Sequence, residues 1–182
     1  GNYFFGGAGN LTMTGKQNTA QGNQDLTVNT SGARNTATGA AALPTNTTGS
    51  YNTASGSFSL QFNTTGYDNT ASGSGALNSN TSGSYNTASG DNALRYNTSG
   101  SYNTASGYQS GQNITSGSAN IILGQYVNAP SGSASGQLNI GNLIYGTGVY
   151  SGTSPSSAPA GGNLGIGTTS PWRTLSVAGS SD

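Results

Sequence analysis

Apolar residues are sparse along this chain, and over its first two thirds they are evenly spaced. Ala20, Ala37, Ala54, Ala71, Ala88 and Ala105 stand 17 residues apart, and Leu26, Leu43, Leu60, Leu77 and Leu94 keep the same interval. The polar positions share this register. The phrase "SYNTASG" occupies residues 50–56, 84–90 and 101–107, with "YDNTASG" at 67–73, and its asparagine recurs at Asn18, Asn35, Asn52, Asn69, Asn86, Asn103 and Asn120 without an insertion. Glycine closes each phrase (Gly22, Gly39, Gly56 and onward), and a second glycine column (Gly15, Gly32, Gly49 and onward) follows a phrase of the form "NTSG" or "NTTG". Two glycine columns predict two turns, so one unit reads as strand, turn, strand, turn.

Seventeen residues are too few for a helical-hairpin repeat and suit one coil of a parallel β-solenoid, in which each coil pairs with the next about 4.8 Å along the axis. The expected fold is therefore all-β, a β-roll of 17-residue coils. Stacking brings like onto like. Asn52, Asn69, Asn86 and Asn103 form one expected ladder, Ala54, Ala71 and Ala88 a second, and Leu60, Leu77 and Leu94 a third, with the asparagine amides able to bond from coil to coil. So thin a coil buries little apolar area against a backbone ordering cost of about 1–2 kcal/mol per residue. Association is the expected remedy, by preference of three rolls sharing a seam of Ala and Leu, with a monomer or an end-to-end filament as the alternatives.

The ends depart from the middle. "NYFFG" at 2–6, "NIILG" at 120–124 and "NLIYG" at 142–146 keep an N-x-x-x-G frame with large apolar fillers, as terminal coils that cover open strand edges would. Residues 129–136 and 151–162 are rich in Ser, Gly, Ala and Pro and read as loops. The expected division is a repeat rod over 1–128, loops with an atypical coil over 129–162, and a stem segment over 163–182.

Composition narrows function mainly by exclusion. Of 182 residues 31% are hydrophobic, 31 are glycine and only 4% are charged, with a formal net charge of zero. Low hydrophobicity without charge favours a repetitive structure held by backbone and small side-chain hydrogen bonds over a random coil. Four basic residues make no phosphate-neutralising patch, so nucleic acid is not an expected partner, and no apolar run approaches a membrane span. Gly1 opens without a basic segment and apolar run, which places any signal peptide upstream or already removed. Cysteine, histidine and glutamate are absent, and Asp25, Asp68, Asp91 and Asp182 occupy unrelated places in the repeat. No enzyme, cofactor or metal site is expected from such a set. Lys16, Arg34, Asp68, Asp91 and Arg95 fall where residue type varies between units and read as outward; Asp25 shares its place with Ala and Ser and is the exception.

The "N-T-A-x-G" phrase with "N-T-T-G", covering about residues 2–124, resembles the repeats of bacteriophage tail-fibre-like proteins and bacterial surface fibres, and more distantly the "N-S-V-A-I-G" repeats of trimeric autotransporter adhesin heads. Separately, "GNLGIGTTSPWRTLSVAGS" at 162–180 is similar to the segment preceding the self-cleaving intramolecular chaperone domain of tail fibres and spikes. This resemblance implies a homotrimeric, left-handed β-roll serving as a structural extracellular fibre segment, on a virion or cell surface, that can present a receptor- or surface-binding face.

Two rows are candidate ligand faces. Thr53, Thr70, Thr87 and Thr104 each stand two places before a Ser, forming a T-x-S row that could order water as ice-binding solenoids do, or else bond along the stack. Tyr51, Tyr85 and Tyr102, joined by Tyr67, Tyr96 and Phe62, could bind a cell-surface glycan or receptor, or else stiffen the rod and meet a sister chain. N-x-S/T sequons at Asn29, Asn46, Asn63, Asn80 and Asn97, with Asn10 and Asn113 also matching, largely keep the structural period and read as turn asparagines that a glycosylating host could still modify.

Overall fold

The computed structural model describes residues 1–147 and 163–166. Among them there is no helix, and one eleven-stranded sheet runs in chain order. Strands β1 (Tyr3–Phe5), β2 (Thr19–Gln21), β3 (Thr36–Thr38), β4 (Thr53–Ser55), β5 (Thr70–Ser72), β6 (Thr87–Ser89), β7 (Thr104–Ser106), β8 (Ile121–Leu123) and β9 (Leu138–Ile140) pair in parallel, each with the next. The register is that of the repeat: Thr53 faces Thr70, Ala54 faces Ala71 and Ser55 faces Ser72. The chain is a β-solenoid of 17-residue coils.

Alternation decides which face turns in. In β4 to β7 the central alanine is buried and the flanking Thr and Ser are exposed. The alanine and leucine columns, with Ile114, Ile122 and Val127, make one apolar core inside the coil. Ala54, Ala71, Ala88, Leu60, Leu77 and Leu94 have no exposed surface within the single chain. The expected seam between three chains is therefore corrected: these columns fill the interior of one roll and present nothing to a neighbour.

The second half of each coil also differs from expectation. Each coil has one strand of three residues, and the "NTSG" side is a succession of turns. It still bonds to its neighbours, through Thr47 N–H to the Thr64 carbonyl at 2.9 Å and Thr64 N–H to Thr81 at 2.9 Å. Extended backbone is lost because the leucines take left-handed φ, from 49° to 51° in Leu26, Leu43, Leu60, Leu77 and Leu94 within a degree or two. A non-glycine residue in that region is uncommon, yet each coil repeats it, in the buried leucines and in exposed residues such as Tyr51 and Phe58. The two glycine columns differ as well. Gly56 has φ of 137°, a region that residues with a Cβ rarely adopt, whereas a Cβ on Gly66 would run into the Asn63 side-chain oxygen and the Gly83 carbonyl of the next coil.

The stack continues past residue 128. Gln137 begins a further unit in strict register, and β9 pairs Leu138 with Ile121. "NLIYG" is not another coil. Gly141 and Asn142 have left-handed φ of 60° and 57°, and Leu143 N–H donates to the Ile140 carbonyl at 3.0 Å, closing a three-residue hairpin loop between the paired Ile140 and Ile144. It reverses the chain into β10 (Ile144–Thr147), which runs antiparallel to β9, and β11 (Asn163–Ile166) runs antiparallel to β10. Asn139, in the column of the alanines, ends the apolar core and fixes this turn by accepting the Asn142 N–H at 3.1 Å. The loop expected at 151–162 and the stem segment beyond residue 166 lie outside the described residues.

Candidate functional site

Two asparagine ladders border the core. In the first, each side-chain oxygen accepts the backbone N–H of the next rung at 2.9–3.0 Å, from Asn2 through Asn18, Asn35, Asn52, Asn69, Asn86, Asn103 and Asn120 to Gln137. From Asn2 to Asn103 each amide nitrogen also caps a glycine turn, as Asn52 Nδ2 does to the Gly66 carbonyl at 2.8 Å, while those of Asn120 and Gln137 both donate to the Ala134 carbonyl. The second ladder joins Asn29, Asn46, Asn63, Asn80 and Asn97, whose amides donate to the preceding oxygen at 2.8–2.9 Å. These are the five sequon asparagines that keep the period, whereas Asn10 and Asn113, which also match a sequon, are only partly buried. The ladder asparagines are all buried without exposed surface, so in the folded chain their nitrogens are engaged and out of reach of a glycosyltransferase.

The T-x-S row lies on the outward face of the sheet. Thr53, Thr70, Thr87 and Thr104 and their serine partners are exposed and in register. Hydroxyls that bond along the stack belong to another column: Thr47, Thr64, Thr81 and Thr98 each reach the carbonyl of the next coil at 2.9–3.0 Å. The outward face changes character at its ends, with Tyr3 and Phe5 exposed on β1 and Ile121, Leu123, Leu138 and Ile140 half-buried on β8 and β9.

The tyrosine row is exposed. Tyr85 and Tyr102 stack with centroids 4.8 Å apart, and Tyr67 meets Tyr85 edge-on at 5.1 Å, supplying the ring that Asp68 omits from the column. A hydrogen bond with Tyr67, followed by the charge of that neighbour, holds the Tyr85 phenol above its ordinary range. Tyr51 stands apart, under the Arg34 guanidinium at 5.1 Å. Phe62 and Tyr96 are exposed elsewhere on the roll, Tyr96 with Arg95 over its ring at 5.5 Å.

Lys16, Arg34, Asp68 and Asp91 are exposed and Arg95 is partly so, while Asp25 is fully buried. Burial raises the Asp25 carboxyl above its usual range, against the opposing effect of the hydrogen bond from the Ala42 backbone. Asp25 Oδ1 accepts the Ala42 N–H at 2.7 Å, and Oδ2 has no partner. Among the described residues no group of three or more His, Cys, Asp or Glu could hold a metal, and no helix is long and apolar enough to cross a membrane. No protein family, curated protein or solved structure matches the chain.

Sequence reasoning missed one surface feature, a notch of about 550 Å³ lined by Phe58, Gln61, Phe62, Gly75, Asn78 and Arg95 among others. Its residues lie in three different coils, and the linear signal is that Gly75 and Ser79 stand where the units on either side carry Phe58 and Asn92, and Phe62 and Tyr96.

Proposed function

We propose that the chain is a structural segment of an extracellular fibre, on a virion or a cell surface, in which the solenoid acts as a stiff spacer and sister chains pack side by side as a homotrimer. The observation that carries this reading is the first amide ladder, which ties every coil from Asn2 to Gln137 to its neighbour through buried hydrogen bonds. A rod bends where successive units can shift, and a buried amide bonded to the next backbone N–H opposes such a shift. Nine parallel strands at about 4.8 Å spacing give a rod about 38 Å long, to which further fibre segments would add. Association is supported by the outward apolar residues of β1, β8 and β9, which a lone chain leaves partly in water.

Sedimentation equilibrium with negative-stain imaging tests it. A mass of three chains and a short thick rod are expected; a monodisperse monomer at high micromolar concentration would remove the trimer, and bent or globular particles would remove the spacer.

The outward Thr and Ser columns favour a second reading, an ice-binding face, since their hydroxyls are exposed and regularly spaced. The two readings compete for one surface if the trimer closes over β4 to β7. Thermal hysteresis in the purified chain would support the second, and its absence at millimolar concentration would eliminate it.

A further inference from the structure

The notch at the middle of the roll is where the repeat departs from itself. In the fourth coil the turn carries Phe58, Gln61 and Phe62; in the sixth it carries Asp91, Asn92 and Arg95. The fifth coil, between them, has Gly75, Asn78 and Ser79 in the places of Phe58, Gln61 and Phe62, and these smaller side chains leave the open volume of about 550 Å³. Gly75 is its floor. It is buried, has the left-handed φ of 63° that Phe58 and Asn92 share in the same column, and a Cβ there would come within 2.6 Å of Asn92 Oδ1.

The two walls differ in chemistry. Phe58 and Phe62 are 47% and 49% exposed and offer apolar ring surface. Facing them are planar polar groups already ordered by one another. Arg95 Nη1 donates to Asn92 Oδ1 at 3.2 Å, the Asn92 amide donates to the Asp91 carboxylate, and Asn78 Nδ2 donates to Gln61 Oε1 at 2.9 Å and to the Phe58 carbonyl at 3.1 Å. Amide, carboxylate and guanidinium each still have donor or acceptor capacity beyond these bonds. One acid and one base leave the notch close to neutral, which selects against phosphate and polyanions.

We propose that this notch binds one or two hexose units of a neutral glycan. The C–H face of a pyranose stacks on Phe58 and Phe62, and its vicinal hydroxyls pair with the fixed planar groups of Asn78, Asp91, Asn92 and Arg95. Among the described residues, the aromatic and polar sets face each other across open volume here, whereas the tyrosine row forms stacked ring contacts with itself. The proposal stands independently of the trimeric rod.

The test uses substitutions that the fold already accommodates in the same columns. Gly75→Gln copies Gln24 and Gln109, which share its left-handed φ; Phe58→Ala copies Ala41; Arg95→Gln copies Gln61. The full chain is titrated with lactose, maltose and mannobiose by ligand-observed NMR and applied to an array of neutral and anionic glycans. Binding of at least one neutral glycan is expected, weakened at least tenfold by Gly75→Gln and by Phe58→Ala and left unchanged by Tyr102→Ala. Circular dichroism establishes that each variant is folded, and Phe58→Ala decides the matter if Gly75→Gln is not. The proposal is overturned if no neutral glycan binds, if anionic glycans or peptides are preferred, or if binding survives Phe58→Ala and Arg95→Gln.

Discussion

Asn97 and Ile114 occupy consecutive rungs of one column, and at that step the second amide ladder ends. Asn97 Oδ1 is buried without a partner because the residue above it has no amide to offer. The same coil compensates in its apolar core. Gly111 replaces the leucine of the other coils, and Ile114 enters the space it vacates, so that a Cβ on Gly111 would lie 3.1 Å from Leu94 Cδ2 and 3.5 Å from Ile114 Cδ1. Gly111 and Ile114 thus act as a pair in place of Leu and Asn. Gly111→Leu alone is expected to overpack, at about 1–3 kcal/mol, and Ile114→Asn alone to leave a cavity costing about 2–5 kcal/mol. The double variant recovers most of both losses. A double-mutant cycle by urea unfolding checks this, and additive losses would show that the two sites do not share volume.

The first ladder predicts a local defect. Asn69→Leu removes the acceptor of the Asn86 N–H and the donor to the Gly83 carbonyl, each bond being 2.9–3.0 Å in the intact chain. Each orphaned buried group costs about 1–3 kcal/mol. Because a coil touches only its neighbours, hydrogen exchange should accelerate around β5 and β6 while the amides of β2 and β3 stay protected. A uniform change along the chain would contradict the ladder as a set of nearest-neighbour ties.

Asp25 gives the chain an unusual pH dependence. Its folded-state pKa is raised by burial, so the native state holds the proton more tightly than the unfolded chain does. The sign follows from linkage: this contribution to stability is full below the unfolded carboxylate range of about 4 and is lost as pH rises through the raised folded value. Asp25→Ser, with the residue that Ser59 and Ser110 supply to the same column, should melt higher than the parent at pH 7, with the difference shrinking at pH 3. The Ala42 N–H then has the Gly39 carbonyl as an acceptor, as Ser59 uses Gly56 at 3.3 Å. Thermal melts of both proteins at the two pH values decide; a variant that melts lower at pH 7 removes this account.

Gly56 predicts a severe effect from the smallest addition. Its φ of 137° excludes an ordinary side chain, and a Cβ would stand 2.5 Å from the Gly73 oxygen. Gly56→Ala should therefore cost about 3 kcal/mol or more, since neither rotamer change nor local shift relieves a backbone collision. Gly75→Ala, at a position where Ala41 shows the fold accepting alanine, is the control and should cost about 1–2 kcal/mol, the ordinary penalty of a Cβ on left-handed backbone. Equal losses in the two would mean that left-handed backbone, and not coil-to-coil clearance, governs glycine use.

The period, the parallel stacking and the existence of amide ladders were legible because a 17-residue interval without insertion leaves few ways to pair strands. Three features were not. The leucines carry no linear mark of a left-handed backbone, since residues as unlike as buried Leu60 and exposed Tyr51 adopt it wherever the coil turns. Gln137 escaped notice because the ladder needs a primary amide, which glutamine shares with asparagine, whereas the frame was defined by asparagine itself. The notch escaped because Phe58, Gly75 and Asn92 become neighbours only once coils are stacked, and a residue's importance there comes from what the units on either side present.

The terminal hairpin gives the assembly a direction. At β1 the chain offers a parallel edge with the same spacing as every interior rung, whereas β10 and β11 turn the opposite edge antiparallel. A 17-residue segment could be inserted or excised between any two middle coils and find its complement waiting, but copied beyond β9 it would meet a mismatched template. Length is thus adjustable among the middle coils, so a lineage could retune its reach by unequal crossing-over there and leave the antiparallel strands β10 and β11 as they are.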